Sequence, residues 1–205
     1  MEGIFITFEG LDGCGKTTQA KLLKDFFEKK EYKVYLTREP GGTLPGEAIR
    51  SVLLDPEIKL HPWTEALLYL SSRLENSLII KERLKEGYIV LCERYIDSTI
   101  AYQGYGRGLP LKELKRLNNL VTFGLKPDIT IVLDIKPEKA LQRKKNFDRM
   151  EKENLEFYNK VREGYLEIAK REKRRVFVVS AELSEEEVHQ EILNVLFKKL
   201  REMKL

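Results

Sequence analysis

Residues Gly10-Leu11-Asp12-Gly13-Cys14-Gly15-Lys16-Thr17 set a glycine, four free positions, then glycine, lysine and threonine in one run. Each fixed type has a task that an anionic ligand needs. Glycine lets backbone amides wrap closely through positive φ, the Lys16 ammonium offsets phosphate charge, and the Thr17 hydroxyl is a ligand suited to Mg2+. Such a loop works between a strand and a helix, because its amides and the helix N-terminus together hold the anionic oxygens. Residues 4–8 read as a short buried strand, and Ala20, Leu22, Leu23, Phe26 and Phe27 fall at helical spacing from Thr18 onward. The context favours nucleoside triphosphate binding over a purely structural glycine turn. What the bound phosphate is used for is open at this point.

Charge gathers at two further places where an apolar run ends. Residues 32–37 lead into Arg38-Glu39-Pro40-Gly41-Gly42-Thr43, and residues 88–92 lead into Glu93-Arg94-Tyr95. In open α/β sheets, ligands sit at that strand end. Arg38 and Glu39 are therefore expected at a ligand, with a solvated turn as the alternative. Glu93 is placed to hold Mg2+ or its waters and Arg94 to clamp a phosphate, with a surface salt bridge as the alternative. A third cationic group, Arg143, Lys144, Lys145 and Arg149, surrounds Asn146-Phe147-Asp148. It is either a solvated face or part of a mobile cover over phosphates. Cys14 and Cys92 lack a paired spacing, so neither disulfide nor zinc is expected, and His61 and His189 have no partner that would give them chemical duty.

The elements needed to position these groups follow from periodicity. Strands are expected at 4–8, 32–37, 88–92, 128–134 and 176–179. Helices are expected from 18 to about 30, then at 45–54, 63–85, 97–103, 111–123 and 154–173, with a last one opened by the capping box Ser184-Glu185-Glu186-Glu187. In the long helix, Ala66, Leu67, Leu70, Leu74 and Leu78 mark the expected core face. Gly104, Gly106 and Gly108 are expected to loosen the chain. Strands alternating with helices predict an α/β fold, a five-stranded parallel sheet with helices on both faces, in a single domain over residues 1–205.

Composition narrows the function classes. The chain has 205 residues, 42% hydrophobic and 34% charged, which suits one globular core. Its 37 bases and 33 acids are dispersed, so the net charge of +4 does not make a nucleic-acid platform. No apolar run is long enough to span a bilayer and no signal-type leader is seen, so a cytoplasmic protein without membrane or nucleic-acid partners is expected.

Four segments in this order resemble the thymidylate kinase family: residues 8–18, residues 38–43, residues 93–104 (Glu93-Arg94-Tyr95-Ile96-Asp97-Ser98 and onward), and Asp148-Arg149-Met150-Glu151. The resemblance covers essentially the whole chain. It implies a P-loop nucleoside monophosphate kinase fold and transfer of the ATP γ-phosphoryl group to dTMP, giving dTDP and ADP, with Mg2+ accompanying ATP. It further implies ATP binding by Gly10, Leu11, Asp12, Gly13, Cys14, Gly15, Lys16, Thr17 and Thr18, and metal contacts from Thr17 and Glu93. Asp12 would meet the 3′-hydroxyl of dTMP. Arg94 would clamp its phosphate, helped by Arg38 and Arg50, with Glu39 nearby. Tyr69 would stack on thymine while Arg73, one turn further along the helix, bonds its carbonyl. Ser98, Thr99 and Gln103 would face the base, and Tyr102 would crowd the 2′ position of the sugar.

Gly13 stands where some relatives carry an arginine, which implies that the catalytic cation sits in a lid around 137–151, as Arg143 and Arg149. Lys144 and Lys145 replace arginine of other relatives, and Glu93 replaces the commoner aspartate. A homodimer is implied as well. The rivals are another nucleoside monophosphate kinase, for uridylate, adenylate or a deoxynucleotide, and a regulatory P-loop switch. The sequence lacks the Asn-Lys-x-Asp element by which such GTPase switches hold guanine.

Overall fold

A computed structural model of the chain describes residues 3–143, 149 and 153–202. Five strands, β1 (Ile4–Gly10), β2 (Val34–Arg38), β3 (Ile89–Glu93), β4 (Ile129–Asp134) and β5 (Val176–Ser180), form a sheet in the order β2-β3-β1-β4-β5. Every pairing is parallel. The register sets Phe8 beside Glu93, Arg38 beside Glu93, and Gly10 beside Leu133. The glycine loop and both charged segments therefore leave the sheet at one edge. This is also where the chain changes direction of travel, from strands on one side of β1 to strands on the other.

Each strand end lies within two residues of the expected bound, and the sheet has the expected composition. Successive side chains of β1 go to opposite faces, Phe5 into one buried cluster with Ile80, Val90, Cys92 and Tyr95, and Ile6 and Phe8 into the other with Leu23, Leu91, Ile131 and Ile192. Helices cover both faces, as a parallel sheet requires. They are α1 (Lys16–Glu28), α2 (Leu44–Leu54), α3 (Pro62–Lys85), α4 (Ile96–Thr99), α5 (Leu111–Val121), α6 (Pro137–Gln142), α7 (Leu155–Arg171) and α8 (Glu185–Glu202). Caps start several of them. Thr43 accepts from the Gly46 amide, Asn154 from the Phe157 amide, and Ser184 and Glu187 make the reciprocal bonds of the expected capping box.

Two expectations fail for physical reasons. The apolar positions of α3 do not all face the core: Leu67 is 51% and Leu78 46% exposed, while Glu65, Ser72, Arg73, Asn76 and Ser77 are buried. This helix turns a polar face inward where it walls a polar cavity, while Ile80 further along packs on the sheet. Gly104 and Gly106 do not loosen the chain either; they lie in a π-helix, Ile100–Gly106, that continues α4. A Cβ on Gly104 would stand 2.4 Å from a Leu111 methyl, and one on Gly106 would stand 2.6 Å from the Phe157 ring. The glycines thus let the wide π turn lie against α5 and α7, and π segments of this kind recur at functional sites.

Gly106→Ala should accordingly lower stability by about 1–3 kcal/mol, read as a lower urea midpoint with unchanged slope, because the new methyl must displace Phe157 and Val161. An unchanged midpoint would show that α7 gives way freely.

Candidate active site

The loop after β1 bends through Gly10, Gly13 and Gly15, whose φ values of 133°, 82° and 95° are open to glycine and rarely to other residues. Nothing lies within 4 Å of where a Gly15 Cβ would be, so its α carbon faces open space. Lys16 Nζ lies back across the loop, donating to Leu11 O at 2.8 Å and Gly10 O at 3.2 Å. Thr17 Oγ1 donates to Glu93 Oε2 at 2.7 Å. A hydroxyl and a carboxylate so placed fit the protein share of a Mg2+ shell whose other ligands are waters and phosphate oxygens.

A cavity of about 430 Å3 opens here, lined by residues of the loop together with Arg38, Glu39, Arg50, Glu93, Arg94 and Arg143. A second cavity, about 70 Å3, adjoins it and shares Asp12, Glu39, Arg50 and Arg94. Its remaining walls are Pro40, Leu54, Tyr69, Arg73, Ser98, Thr99, Tyr102 and Gln103. Of the residues expected around an acceptor nucleotide, ten line the smaller cavity, and Arg38 lies in the larger one.

Arg94 joins the two spaces. It holds φ 64°, a left-handed conformation that costs a non-glycine residue about 1–3 kcal/mol and that clusters at functional sites. One guanidinium nitrogen donates to Asp12 Oδ1 at 2.6 Å and to Tyr102 OH at 3.1 Å. The other donates to Gly10 O, Ser98 Oγ and Tyr165 OH. Burial pulls its pKa down, but Asp12, Tyr102, Tyr165 and Glu9 together push it well above the ordinary arginine value. The sequence argument has Asp12 pointing to a neutral donor; it does face the smaller cavity, and its charge is met there by Arg94 and its second oxygen by the Tyr102 hydroxyl.

Arg73 is 1% exposed. Its Nε donates to Glu39 Oε2 at 2.7 Å, and its other nitrogens to Thr99 Oγ1, Asn118 Oδ1 and Tyr95 O. Burial pushes the Glu39 carboxyl up, against the pull of Arg73. Burial also raises the Tyr69 phenol. Gln103 Nε2 donates to Glu65 Oε1 at 2.9 Å. Arg38 is exposed and paired with Glu47, and Arg50 donates to Pro40 O at 2.8 Å.

Of the cationic group after α6, Arg143 lines the larger cavity, whereas Arg149 does not reach it. Arg149 Nε donates to Leu53 O and its Nη1 to Glu65 Oε2, both at 2.7 Å. Lys144, Lys145, Asp148, Met150 and Glu151 lie outside the described residues.

Several functional residues carry no expectation from the sequence. Glu9 is fully buried and accepts from the Tyr95 amide, Ser98 Oγ and Tyr165 OH. An acid inside an otherwise apolar strand was the available signal, since a buried charge demands partners. Glu65, 1% exposed, takes Gln103, Arg107 and Arg149 at once. Burial alone would raise its pKa, yet the Arg107 hydrogen bonds and charge hold it below the usual range. No linear pattern foretells that cluster, because its members are 38 to 84 residues apart.

A family model described as thymidylate kinase matches residues 8–192. The thymidylate kinase of Thermoanaerobacter sp. is 44% identical over 206 residues, covering 98% of this chain and all of that protein. That of Caldanaerobacter subterraneus subsp. tengcongensis is 50% identical over 83% of each chain. Among solved structures, the thymidylate kinase of Ehrlichia chaffeensis superposes with a TM-score of 0.81 at 39% identity, over 96% of this chain and 99% of that one.

Glu9 gives the site a pH signature. Burial, then the nearby Asp97 charge, raise its pKa from 4.5 to about 7. Between those values the folded state keeps a proton that the unfolded chain releases, so stability falls as pH rises through the window, by up to about 3 kcal/mol. Glu9→Gln keeps the proton at every pH and should flatten that part of the stability curve. The same slope in wild type and variant would remove Glu9 as its source.

Proposed function

The chain belongs to the thymidylate kinase family, and from that premise we propose how its residues perform the family's reaction, transfer of the ATP γ-phosphoryl group to dTMP with release of ADP. The observation that carries the assignment is the junction of the two cavities at Arg94 and Asp12. A phosphate-cradling space and a polar recess meet there, with Arg94 and Arg50 in the wall of both.

The acceptor is a phosphate monoester whose second pKa is about 6, so its attacking oxygen is ionised at neutral pH and no general base is required. The task is to bring two anions together and stabilise charge on the group in transit. Lys16 and the loop amides hold the β and γ oxygens of ATP. Thr17 and Glu93 would hold the Mg2+ that accompanies ATP, which would supply neutralisation of phosphate charge. Arg94 binds the dTMP phosphate from the opposite side, with Arg38 and Arg50 completing the ring of cations. Tyr69 stacks on thymine, Arg73, Ser98, Thr99 and Gln103 read its edge, Asp12 takes the 3′-hydroxyl, and Tyr102 excludes a 2′-hydroxyl.

Arg143 is the cover residue assigned to the transferring group, on the strength of its place in the larger cavity. Arg149, bonded to α2 and α3, is assigned to fasten the cover, residues 137–151, over the acceptor side. The chain works as a single kinase domain and as a homodimer. Leu67 and Leu78 lie eleven residues apart on α3 and so share a face, and with exposed Leu120 and Phe123 they offer an apolar patch to a second copy. Cytoplasmic work on small molecules, without nucleic acid or membrane, is the matching setting. No helix among the described residues is long and apolar enough to cross a membrane.

Steady-state rates with dTMP, UMP and AMP test the acceptor; turnover of UMP or AMP equal to that of dTMP would reject this reading. Arg143→Ala should lower kcat by about 100-fold with little change in KM for dTMP, as for loss of one transition-state cation. Tyr69→Leu should instead raise KM for dTMP by about three- to tenfold with kcat nearly kept. Tyr69 is the cleaner probe than Arg73, whose loss strands the buried Glu39 carboxylate. Leu67→Glu with Leu78→Glu should convert the dimer to a monomer in light scattering. An unchanged mass in the double variant would place the interface elsewhere.

A further inference from the structure

A third cavity, about 210 Å3, lies between α5, α7 and the α4/π-helix segment, apart from both spaces already described. Its floor is apolar, with Ile96, Ile100, Leu111, Leu125 and Ile168, and its rim carries Lys115, Lys126, Arg171 and Arg175. Two carboxylates face this rim. Asp97 is taken up by Arg175, which donates to both its oxygens at 2.7 and 2.8 Å, and Glu172 lies 3.5 Å from Arg175 Nε. That Nε is buried and makes no hydrogen bond among the described residues. Lys115 and Lys126 form no ion pair among them either. The rim is therefore left with surplus positive charge above an apolar floor.

The cavity is below the roughly 300–1,000 Å3 of sites for drug-sized ligands, a size suited to a small ligand such as one fused ring. The apolar floor takes a ring and the rim takes a negative substituent, for which guanidinium groups are suited donors.

The wall of this cavity is also the wall of the acceptor recess. Asn118 lines the former and accepts at Oδ1 from Arg73, which lines the latter, at 2.7 Å. Its Nδ2 donates to Ile96 O at 3.1 Å. The contact of Asn118 with Arg73, together with the α4 segment, forms the partition between the two spaces. A ring packed on α5 would bear on the same side chain that accepts from Arg73, and this shared contact is the route by which the two spaces can affect each other.

We propose that this cavity is a site for a small amphipathic anion, an apolar ring bearing one negative group, and that its occupation tightens binding in the acceptor recess through Asn118. The site itself does not depend on which nucleotide the recess accepts.

The test uses indole-3-acetate as probe and neutral indole-3-acetamide as its control, with binding followed by amide chemical shifts of the intact protein. The acid should bind, with the largest shifts around residues 111–125, and the amide about tenfold more weakly. Lys115→Glu with Lys126→Glu, two exposed side chains outside the catalytic machinery, should weaken the acid at least about tenfold while kcat and KM for dTMP stay within about twofold of wild type. At saturating probe, the Kd of dTMP should fall by about two- to fivefold, and dTMP should tighten the probe by the same factor. Absence of binding, equal affinity for acid and amide, or undiminished binding in the double variant each overturns the site. An unchanged or weaker dTMP affinity with the probe bound overturns the coupling and leaves the acceptor assignment untouched.

Discussion

The ion pair between Arg94 and Asp12 is what the catalytic edge is assembled around. Arg94 begins the segment after β3, Asp12 belongs to the loop after β1, and their 2.6 Å contact ties those two neighbouring strands together beyond the last ladder bond. Arg94 reaches that position only through a left-handed backbone. The conformation is held by its amide bond to Phe8 O and by five side-chain donations around the guanidinium. Beneath it, Glu9 anchors the Tyr95 amide, Ser98 and Tyr165, so the backbone on the far side of the arginine is fixed as well. A strained residue persists when its surroundings over-determine it, and this is the surrounding that does so.

The same demand explains why two elements depart from ordinary patterning. A helix that walls a polar recess must present hydrogen-bonding groups inward, and α3 does this with Glu65, Ser72, Arg73, Asn76 and Ser77. Leu67 and Leu78 are then displaced to the outside, while Leu70 stays buried. The π-helix serves the recess from the other side, where Tyr102 and Gln103 occupy the widened turn and Gly104 and Gly106 let it pack without side chains of its own. A regular α-turn would change the angular offset between Ser98 and Tyr102, whose hydroxyl oxygens both accept from the Arg94 guanidinium.

Much of the fold was legible because parallel strands buried on both faces announce themselves as apolar runs: residues 89–92 and 129–133 are buried throughout. The phosphate loop was legible because its chemistry fixes residue types within eight consecutive positions. The inner face of α3 was not, because periodicity reports where leucines lie and not which face is inside. Arg149 shows the other limit. A basic run signals anion binding only if nothing nearer neutralises it, and for this residue Glu65 and Leu53 O are the nearer partners. Glu65 comes from 84 residues earlier, and no local pattern carries that pairing.

Burial then decides which cations of the site can exchange partners. Arg38 and Glu47 are 52% and 44% exposed, and a pair of that kind is worth no more than about 1 kcal/mol, so a phosphate can replace the carboxylate at small cost. Lys16 rests on backbone carbonyls, weaker partners than a charged oxygen. Arg73 and Glu39 are 1% and 2% exposed, and to part them would leave both charges buried without a counter-ion. Arg73 is thus fixed in place by its burial, while Arg38 and Lys16 are the ones able to exchange partners. Arg94 stands between these cases, 13% exposed against an Asp12 that is 28% exposed. Its terminal nitrogens already make five donations, so its position is set by several partners at once and not by the carboxylate alone.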